Sequence, residues 1–172
     1  MKLKVGQLAP DLTLPDQDGK KHSLANYKGE WVLVYFYPKD DTPGCTKEAC
    51  AIRDDIPRFD KLNVKIFGIS VDTVKSHKKF AEKYNLPFTL LSDDKKEVVK
   101  KYGVYRVPRP AKARPGNHSE RQKKKFMGRE YMGTVRTSFL INPAGKVAKI
   151  YENVKPEIHA EEVLFDLNKK TA

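Results

Sequence analysis

Cysteine is scarce in this chain, with only two copies, Cys45 and Cys50, among 172 residues. Two cysteines are too few for a disulfide scaffold, and in a reducing compartment such a pair is more often catalytic, redox-sensing or inert than structural. The sequence also has no apolar run of signal-peptide length, and no segment approaches the ~18 to 20 apolar residues that a membrane-spanning helix needs. We therefore expect a soluble, cytoplasmic protein that does not contact a membrane.

The sequence also lacks the patterns that hold metals and cofactors. Its four histidines lie far apart, without the spacing of metal ligands. No glycine-rich phosphate loop precedes a predicted helix, and residues 128–133 lack the strand–loop–helix order of a nucleotide site. The sequence therefore predicts neither a metal nor an organic cofactor.

Positive charge, by contrast, is abundant, because 34 Lys and Arg residues outnumber 22 Asp and Glu residues and give a formal net charge of +12. Much of the excess lies between residues 105 and 125, where eight cations accompany one acid. Prolines and charged residues disfavour regular secondary structure in this stretch, so we predict a basic, Pro-rich loop insertion at about 105–123. Two interpretations stay open: a solvated surface, or a docking site for nucleic acid, another anion or an acidic partner.

The pattern of apolar residues predicts a single α/β domain over residues 1–172. The length suits one core, and the continuous apolar run at 31–37 suits a central strand that is buried on both faces. Strands are predicted over 12–14, 20–24, 31–37, 64–71, 88–91, 135–142 and 146–151, and helices over 45–60, 73–84, 95–102 and 158–168. The first two strands form an N-terminal β-hairpin, and the alternation of strands with helices predicts a central mixed β-sheet flanked by helices.

Cys45 stands where this pattern changes from the central strand to a helix. The N–H groups and the dipole of a first helical turn favour an anion, and the thiolate is the reactive form of cysteine. If a thiolate attacks a peroxide, it becomes a sulfenic acid, which condenses with a nearby thiol to form a disulfide. Cys50 is the only other thiol in the chain. The alternative interpretation is that both cysteines are small, buried apolar residues.

The five-residue spacing argues against a permanent disulfide. On an intact α-helix it places the two Cα atoms roughly 8 to 9 Å apart, whereas a disulfide needs them within ~7 Å. Bridging Cys45 and Cys50 therefore requires local unwinding, which suits a cycle between two conformations.

The residues around Cys45 resemble a known family. Pro38-x-x-x-Thr42-x-x-Cys45 matches the active-site signature of peroxiredoxins, and Thr-Pro-Gly-Cys-Thr-Lys-Glu-Ala-Cys resembles the bacterioferritin comigratory protein, or peroxiredoxin Q, branch. Further segments match in family order, and together they cover essentially the whole chain except the basic loop. These segments are 6–14, 68–72, 88–93, 102–104, 125–133 and 136–141.

The resemblance implies a thioredoxin-like fold and the reduction of hydrogen peroxide and organic hydroperoxides. In this subfamily Cys45 would be the peroxidatic residue and Cys50 the resolving one. The Cys45–Cys50 disulfide would be recycled by thioredoxin. Because both thiols lie in one chain, we predict a working monomer.

Four more site residues are implied by their match to the family pattern. Thr42 would hold its hydroxyl against the thiolate and the peroxide, and Pro38 would shield the site from water. Arg136 would bring a guanidinium to the sulfur, where an always-charged donor favours the thiolate. Glu48 would orient this arginine. The alternatives are a helix cap for Thr42, an exposed strand residue for Arg136 and a favourable first-turn acid for Glu48.

Two other functions compete with the peroxidase hypothesis. A protein dithiol-disulfide oxidoreductase would share the fold, but the five-residue spacing opposes it. A nucleic-acid-binding module would use the basic loop, and its binding would fall as salt rises.

Overall fold

In a computed structural model of the chain, residues 2–106, 125–126, 129–130 and 132–171 are described. The predicted strands and helices are present in the predicted order, together with four two-residue strands that were not predicted, the first of them at the start of the predicted loop. The strands are β1 Thr13–Pro15, β2 Lys21–Ser23, β3 Trp31–Phe36, β4 Val64–Ser70, β5 Thr89–Ser92, β6 Tyr105–Arg106, β7 Lys125–Phe126, β8 Arg129–Glu130, β9 Gly133–Thr134, β10 Thr137–Ile141 and β11 Val147–Glu152. The helices are α1 Pro43–Asp54, α2 Ile56–Lys61, α3 Val74–Tyr84, α4 Glu97–Lys101 and α5 His159–Thr171, and a 3-10 turn covers Leu24–Tyr27.

The central sheet has five strands in the order β11-β10-β3-β4-β5. Strands β3, β4 and β5 are parallel, whereas β10 and β11 run antiparallel to their neighbours. Strand β3 lies in the middle because its side chains alternate between two apolar clusters, one on each face of the sheet. This double burial explains why the strand is a continuous apolar run and not an alternating one.

The helices and the hairpin cover opposite faces of this sheet. Buried residues of α1, α2, α3 and α5 pack with Leu33 and Tyr35 of β3. Residues of the β1–β2 hairpin and of α4 pack with Val34 and Phe36 on the other face. Cys45 belongs to the first cluster, so the helical side of the sheet carries the thiol.

The predicted α/β architecture is confirmed, including the mixed sheet and the N-terminal β-hairpin. The helix predicted over 45–60 is in fact two helices, because the first ends before Asp55 and the second begins at Ile56. Pro57 lies in the first turn of α2, where its missing N–H has no helical partner to lose.

The predicted basic loop falls, from residue 107 to residue 123, outside the described residues. Its interpretations, including nucleic-acid binding, therefore stay predictions. Within the described part of the chain, no helix is both long and apolar enough to cross a membrane.

Candidate active site

Cys45 is the third residue of α1, directly after the loop that follows β3. Thr42 is the N-cap residue with an extended backbone, and Pro43 occupies the first helical position, where proline is favoured. The Cys45 side chain is almost fully buried, at 1% exposure. The change from a buried strand to a capped helix thus places the thiol in a first helical turn, as the sequence predicted.

Arg136 lies immediately before β10 and reaches this thiol from the neighbouring strand. Because β10 runs antiparallel to β3, with Ser138 opposite Tyr35, the start of β10 meets the end of β3. The Nη2 atom of Arg136 lies 3.3 Å from Cys45 Sγ. Its side chain is only 16% exposed, so the guanidinium is largely withdrawn from water.

Glu48 follows Cys45 by one helical turn and is completely buried. Its Oε2 atom accepts a hydrogen bond from Arg136 Nη1, and the two residues form an ion pair. Burial raises the pKa of Glu48 to about 7, although the positive charge of Arg136 opposes the rise. Burial by itself lowers the pKa of Arg136, but the charges of Glu48 and Cys45 raise it overall. Arg136 therefore stays cationic between a sulfur and a carboxyl group.

Three further residues around this group were not singled out from the sequence. A Cβ atom on Gly44 would lie 3.0 Å from Arg136 Nη2, so the glycine leaves room for the guanidinium. The Nε2 atom of His159 lies 2.8 Å from Ser138 Oγ, and burial together with Arg136 lowers the pKa of this histidine to about 4. The hydroxyl of Tyr35 is buried without a hydrogen-bond partner among the described residues. Gly44 stands inside the Thr-Pro-Gly-Cys motif, but no local pattern marks His159.

Thr42 and Pro38 lie in the loop between β3 and α1. The Thr42 hydroxyl donates to the carbonyl oxygen of Lys39 at 2.9 Å, and no hydrogen bond within the described ranges joins it to Cys45. Pro38 is exposed. The structure thus brings Arg136 to the sulfur and Glu48 to Arg136, while the Thr42 hydroxyl is hydrogen-bonded within its own loop.

Cys50 lies on the same helix as Cys45, five residues later, and is half-buried. Both cysteines are free thiols. Since both lie within the regular helix α1, the roughly 8 to 9 Å expected between their Cα atoms exceeds the reach of a disulfide. A bond between them requires the first turns of α1 to unwind.

One group of potential metal-ligating side chains lies elsewhere in the described part of the chain. Ligand atoms of Asp40, Asp72 and His77 fall within 4.8 Å of one another. Asp40 and His77 are hydrogen-bonded to each other, and Asp72 accepts from Ser70 and from the backbone N–H of Asp40. These atoms therefore serve a hydrogen-bond network.

The arrangement around Cys45 suits nucleophilic chemistry. A planar guanidinium that is fixed by a buried carboxyl group presents a charged donor to the sulfur, which favours the thiolate. The same donor can stabilise negative charge that develops on an oxygen bound next to the sulfur.

Comparisons with known proteins agree with this chemistry. The AhpC/TSA family model matches residues 5–150. The chain is 41% identical to peroxiredoxin Bcp of Bacillus subtilis over 97% of its own length and 96% of that protein. It is also 41% identical to peroxiredoxin Bcp of Escherichia coli K12, over 94% of each chain.

A solved structure shows the same similarity in three dimensions. The bacterioferritin comigratory protein of Xanthomonas campestris, described for its alkyl peroxide reduction activity, superimposes with a TM-score of 0.82 and 32% sequence identity. The match covers 99% of this chain and 98% of that one. The predicted thioredoxin-like peroxiredoxin fold is therefore confirmed. With relatives this similar over nearly its whole length, the chain belongs to the AhpC/TSA family, as a peroxiredoxin of the Bcp/peroxiredoxin Q group and hence a thiol-dependent peroxidase.

Proposed function

We propose that this protein reduces hydrogen peroxide and organic hydroperoxides, with Cys45 as the peroxidatic thiolate. The observation that carries the proposal is the 3.3 Å contact between Arg136 Nη2 and Cys45 Sγ in the first turn of α1. A guanidinium at this distance favours the nucleophilic form of the thiol. The alkyl peroxide reduction described for the Xanthomonas protein supports the same class of substrate.

In the first step, the thiolate attacks the outer oxygen of the peroxide, so that an S–O bond forms while the O–O bond breaks. Sulfur is oxidised to the sulfenic acid by two electrons, and the leaving oxygen takes a proton from solvent to become an alcohol or water. Arg136 stabilises the negative charge on this oxygen, and Glu48 keeps Arg136 in place. The Thr42 hydroxyl, which donates to the carbonyl oxygen of Lys39 in the free protein, exchanges this bond for one to the incoming peroxide, and Pro38 limits the access of water.

In the second step, Cys50 is the resolving residue. Its sulfur attacks Cys45 Sγ, a disulfide forms, and the sulfenic hydroxyl leaves as water with the proton of the thiol. The bond requires the first turns of α1 to unwind. A dithiol reductant of the thioredoxin type then reduces the disulfide and restores α1. Both thiols belong to one chain, so we propose a monomer that works in the reducing cytoplasm.

Intact-mass spectrometry of the reduced protein after stoichiometric peroxide tests the chemistry. The wild type should lose two hydrogen atoms, and thioredoxin should restore them. Cys50→Ser should gain one oxygen atom, which shows that oxidation begins at Cys45. Cys45→Ser, the matched control, should do neither. Peroxide consumption by Cys45→Ser at the wild-type rate would falsify the proposal.

A further inference from the structure

Asp40 lies in a loop, two residues before the N-cap of α1, and forms several hydrogen bonds to other elements of the fold. It is 8% exposed. Its carboxyl group accepts from the hydroxyls of Tyr37 at 2.6 Å and Ser76 at 2.8 Å and contacts His77 Nδ1 at 2.7 Å. Its backbone N–H donates to Asp72 Oδ2 at 2.9 Å. One loop residue thus joins the end of β3 to helix α3 and to the segment after β4.

A buried hydrogen bond joins Asp40 to His77. Asp40 Oδ2 lies 2.7 Å from His77 Nδ1, and both side chains are almost fully buried, at 4% and 0% exposure. The other ring nitrogen, His77 Nε2, lies 2.9 Å from the carbonyl oxygen of Leu91, which accepts a hydrogen bond. The imidazole therefore connects the loop to α3 and, through Leu91, to β5.

Asp41 adds a second connection to α3. Its backbone is left-handed, with φ 56°, a conformation that aspartate adopts more readily than most other L-residues. Its carboxylate accepts from Tyr84 Oη at 2.6 Å and from Lys83 Nζ at 2.7 Å. The two aspartates therefore bind the two ends of α3.

The far end of α1 is connected to the same helix. Arg53 Nη1 donates to the carbonyl oxygen of Tyr84 at 2.8 Å. Cys45 and Cys50 lie between Asp41 and Arg53, so α3 holds the chain on both sides of the two thiols. The segment that must unwind is thus bracketed by fixed points.

We propose that Asp40, with His77, is a positioning residue that sets the N-terminal limit of the unwinding of α1. The proposal rests on the proposed function, in which α1 opens once in each cycle. The anchored loop stays folded while residues after Thr42 rearrange, and it therefore returns Cys45 to Arg136 after the disulfide is reduced. A released loop would spread the opening into residues 38–42 and misplace the thiol.

Two substitutions at Asp40 separate this role from general stability. Asp40→Asn can keep hydrogen bonds of the same geometry, because an amide has both a donor and an acceptor and can pair with His77 Nδ1 and with the Tyr37 hydroxyl. Asp40→Ala removes the anchor. The matched control is Asp16→Ala, because Asp16 also has a 2.7 Å contact with a histidine, His22, at similar exposure, but in the β1–β2 hairpin on the other face of the sheet.

The kinetic readout is the second-order rate constant of Cys45 oxidation by hydrogen peroxide. We expect Asp40→Ala to lose about tenfold or more, as for a misplaced reacting group, whereas Asp40→Asn and Asp16→Ala stay within about twofold of the wild type. Equal rates for the alanine and asparagine variants at Asp40 would overturn the proposal. Absence of any peroxide reaction in the wild type would instead overturn the proposed function.

A further readout does not depend on peroxide. Hydrogen exchange should show the Asp40 amide protected in the reduced protein and also after disulfide formation with diamide, while the amides of residues 46–50 lose protection. Equal loss of protection at Asp40 and at residues 46–50 in the oxidised wild type contradicts the proposed limit.

Discussion

Arg136 Nη2 lies 3.0 Å from the point that a Cβ atom on Gly44 would occupy. Alanine at this position would displace the guanidinium by a few tenths of an ångström, away from Cys45. Alanine also favours the helix over glycine by about 1 kcal/mol. We therefore expect Gly44→Ala to keep or raise the free energy of unfolding while kcat/KM for peroxide falls about tenfold.

Urea denaturation and peroxidase assays on the same samples test whether the variant keeps its free energy of unfolding while it loses activity. Lys47→Ala, which changes an exposed residue of the same helix, is the control and should alter neither quantity by much. Full activity in Gly44→Ala would show that the space beside Arg136 is not needed.

Arg136→Lys tests the bridge between sulfur and carboxyl group. A lysine has a single ammonium group and cannot present the planar fork that contacts Cys45 Sγ and Glu48 Oε2 together. The loss of one such donor typically lowers the rate about 10²-fold, and we expect that loss in kcat/KM by steady-state assay. Arg58→Lys, on exposed α2 with Asp55 and Glu161 as partners, should retain wild-type activity. A similar loss in both variants would argue against a special role for Arg136.

The pH dependence of peroxidase activity should reflect the protonation of the Glu48 carboxylate. Burial raises its pKa to about 7, so the carboxylate that holds Arg136 gains a proton as the pH falls through neutrality. Glu48→Gln resembles the protonated form at every pH. The ratio of wild-type to variant peroxidase rates should therefore be about tenfold at pH 8 and fall toward one below pH 7. A ratio that is constant from pH 5 to 9 would contradict this titration.

In acid, the free energy of unfolding should depend on the protonation of His159. Burial, with a contribution from Arg136, lowers the pKa of this histidine to about 4 in the folded protein from an ordinary value of 6.5. The unfolded chain therefore binds more protons between these values, and stability is lost as the pH falls from about 6.5 to about 4. Between pH 7 and 4.5 the wild type should lose about 2 to 3 kcal/mol more than His159→Gln. Urea denaturation at the two pH values measures the difference, and identical losses would exclude the effect.

The packing of Tyr35 against Gly68 gives a prediction for the core. A Cβ atom on Gly68 would lie 2.6 Å from the Tyr35 hydroxyl oxygen and 2.9 Å from Leu90 Cδ2. Gly68→Ala should therefore reduce the free energy of unfolding by about 1 to 3 kcal/mol through overpacking. Tyr35→Phe removes a buried hydroxyl that has no partner in the described structure and should be close to neutral.

A double-mutant cycle checks this pair by thermal or urea denaturation. Tyr35→Phe should recover part of the loss caused by Gly68→Ala, because it removes the closest atom. Additive effects of the two substitutions would show that the Tyr35 ring, whose Cζ lies 2.7 Å from the same point, or Leu90 limits the space, and not the hydroxyl.

The elements whose signals are local were predictable. Periodicity and turn residues account for the apolar run of β3, the N-terminal β-hairpin and the helix that carries Cys45. The break at Asp55 was not predicted, because a proline is compatible either with a disturbed last turn or with the first turn of a new helix. The periodicity of apolar residues does not distinguish these two positions of the proline.

The site was predictable only where a motif marked it. Arg136 and Glu48 were expected next to Cys45 because their positions match a family pattern, and no local rule places residues 136 and 45 together. The direction of the Thr42 hydroxyl toward Lys39 depends on the loop backbone. The pairing of His77 with Asp40 was not predicted, because 37 positions separate them and the spacing of the histidines does not indicate it.

The family, the order of the main strands and helices, and a thiol at a helix N-terminus can be read from the chain alone, because they depend on short-range periodicity and on a compact motif. The fold is needed to know which charges meet at the sulfur, which carboxyl groups are buried and how the loop before α1 is anchored to α3. Burial and hydrogen bonding depend on side chains that become neighbours only when the sheet assembles.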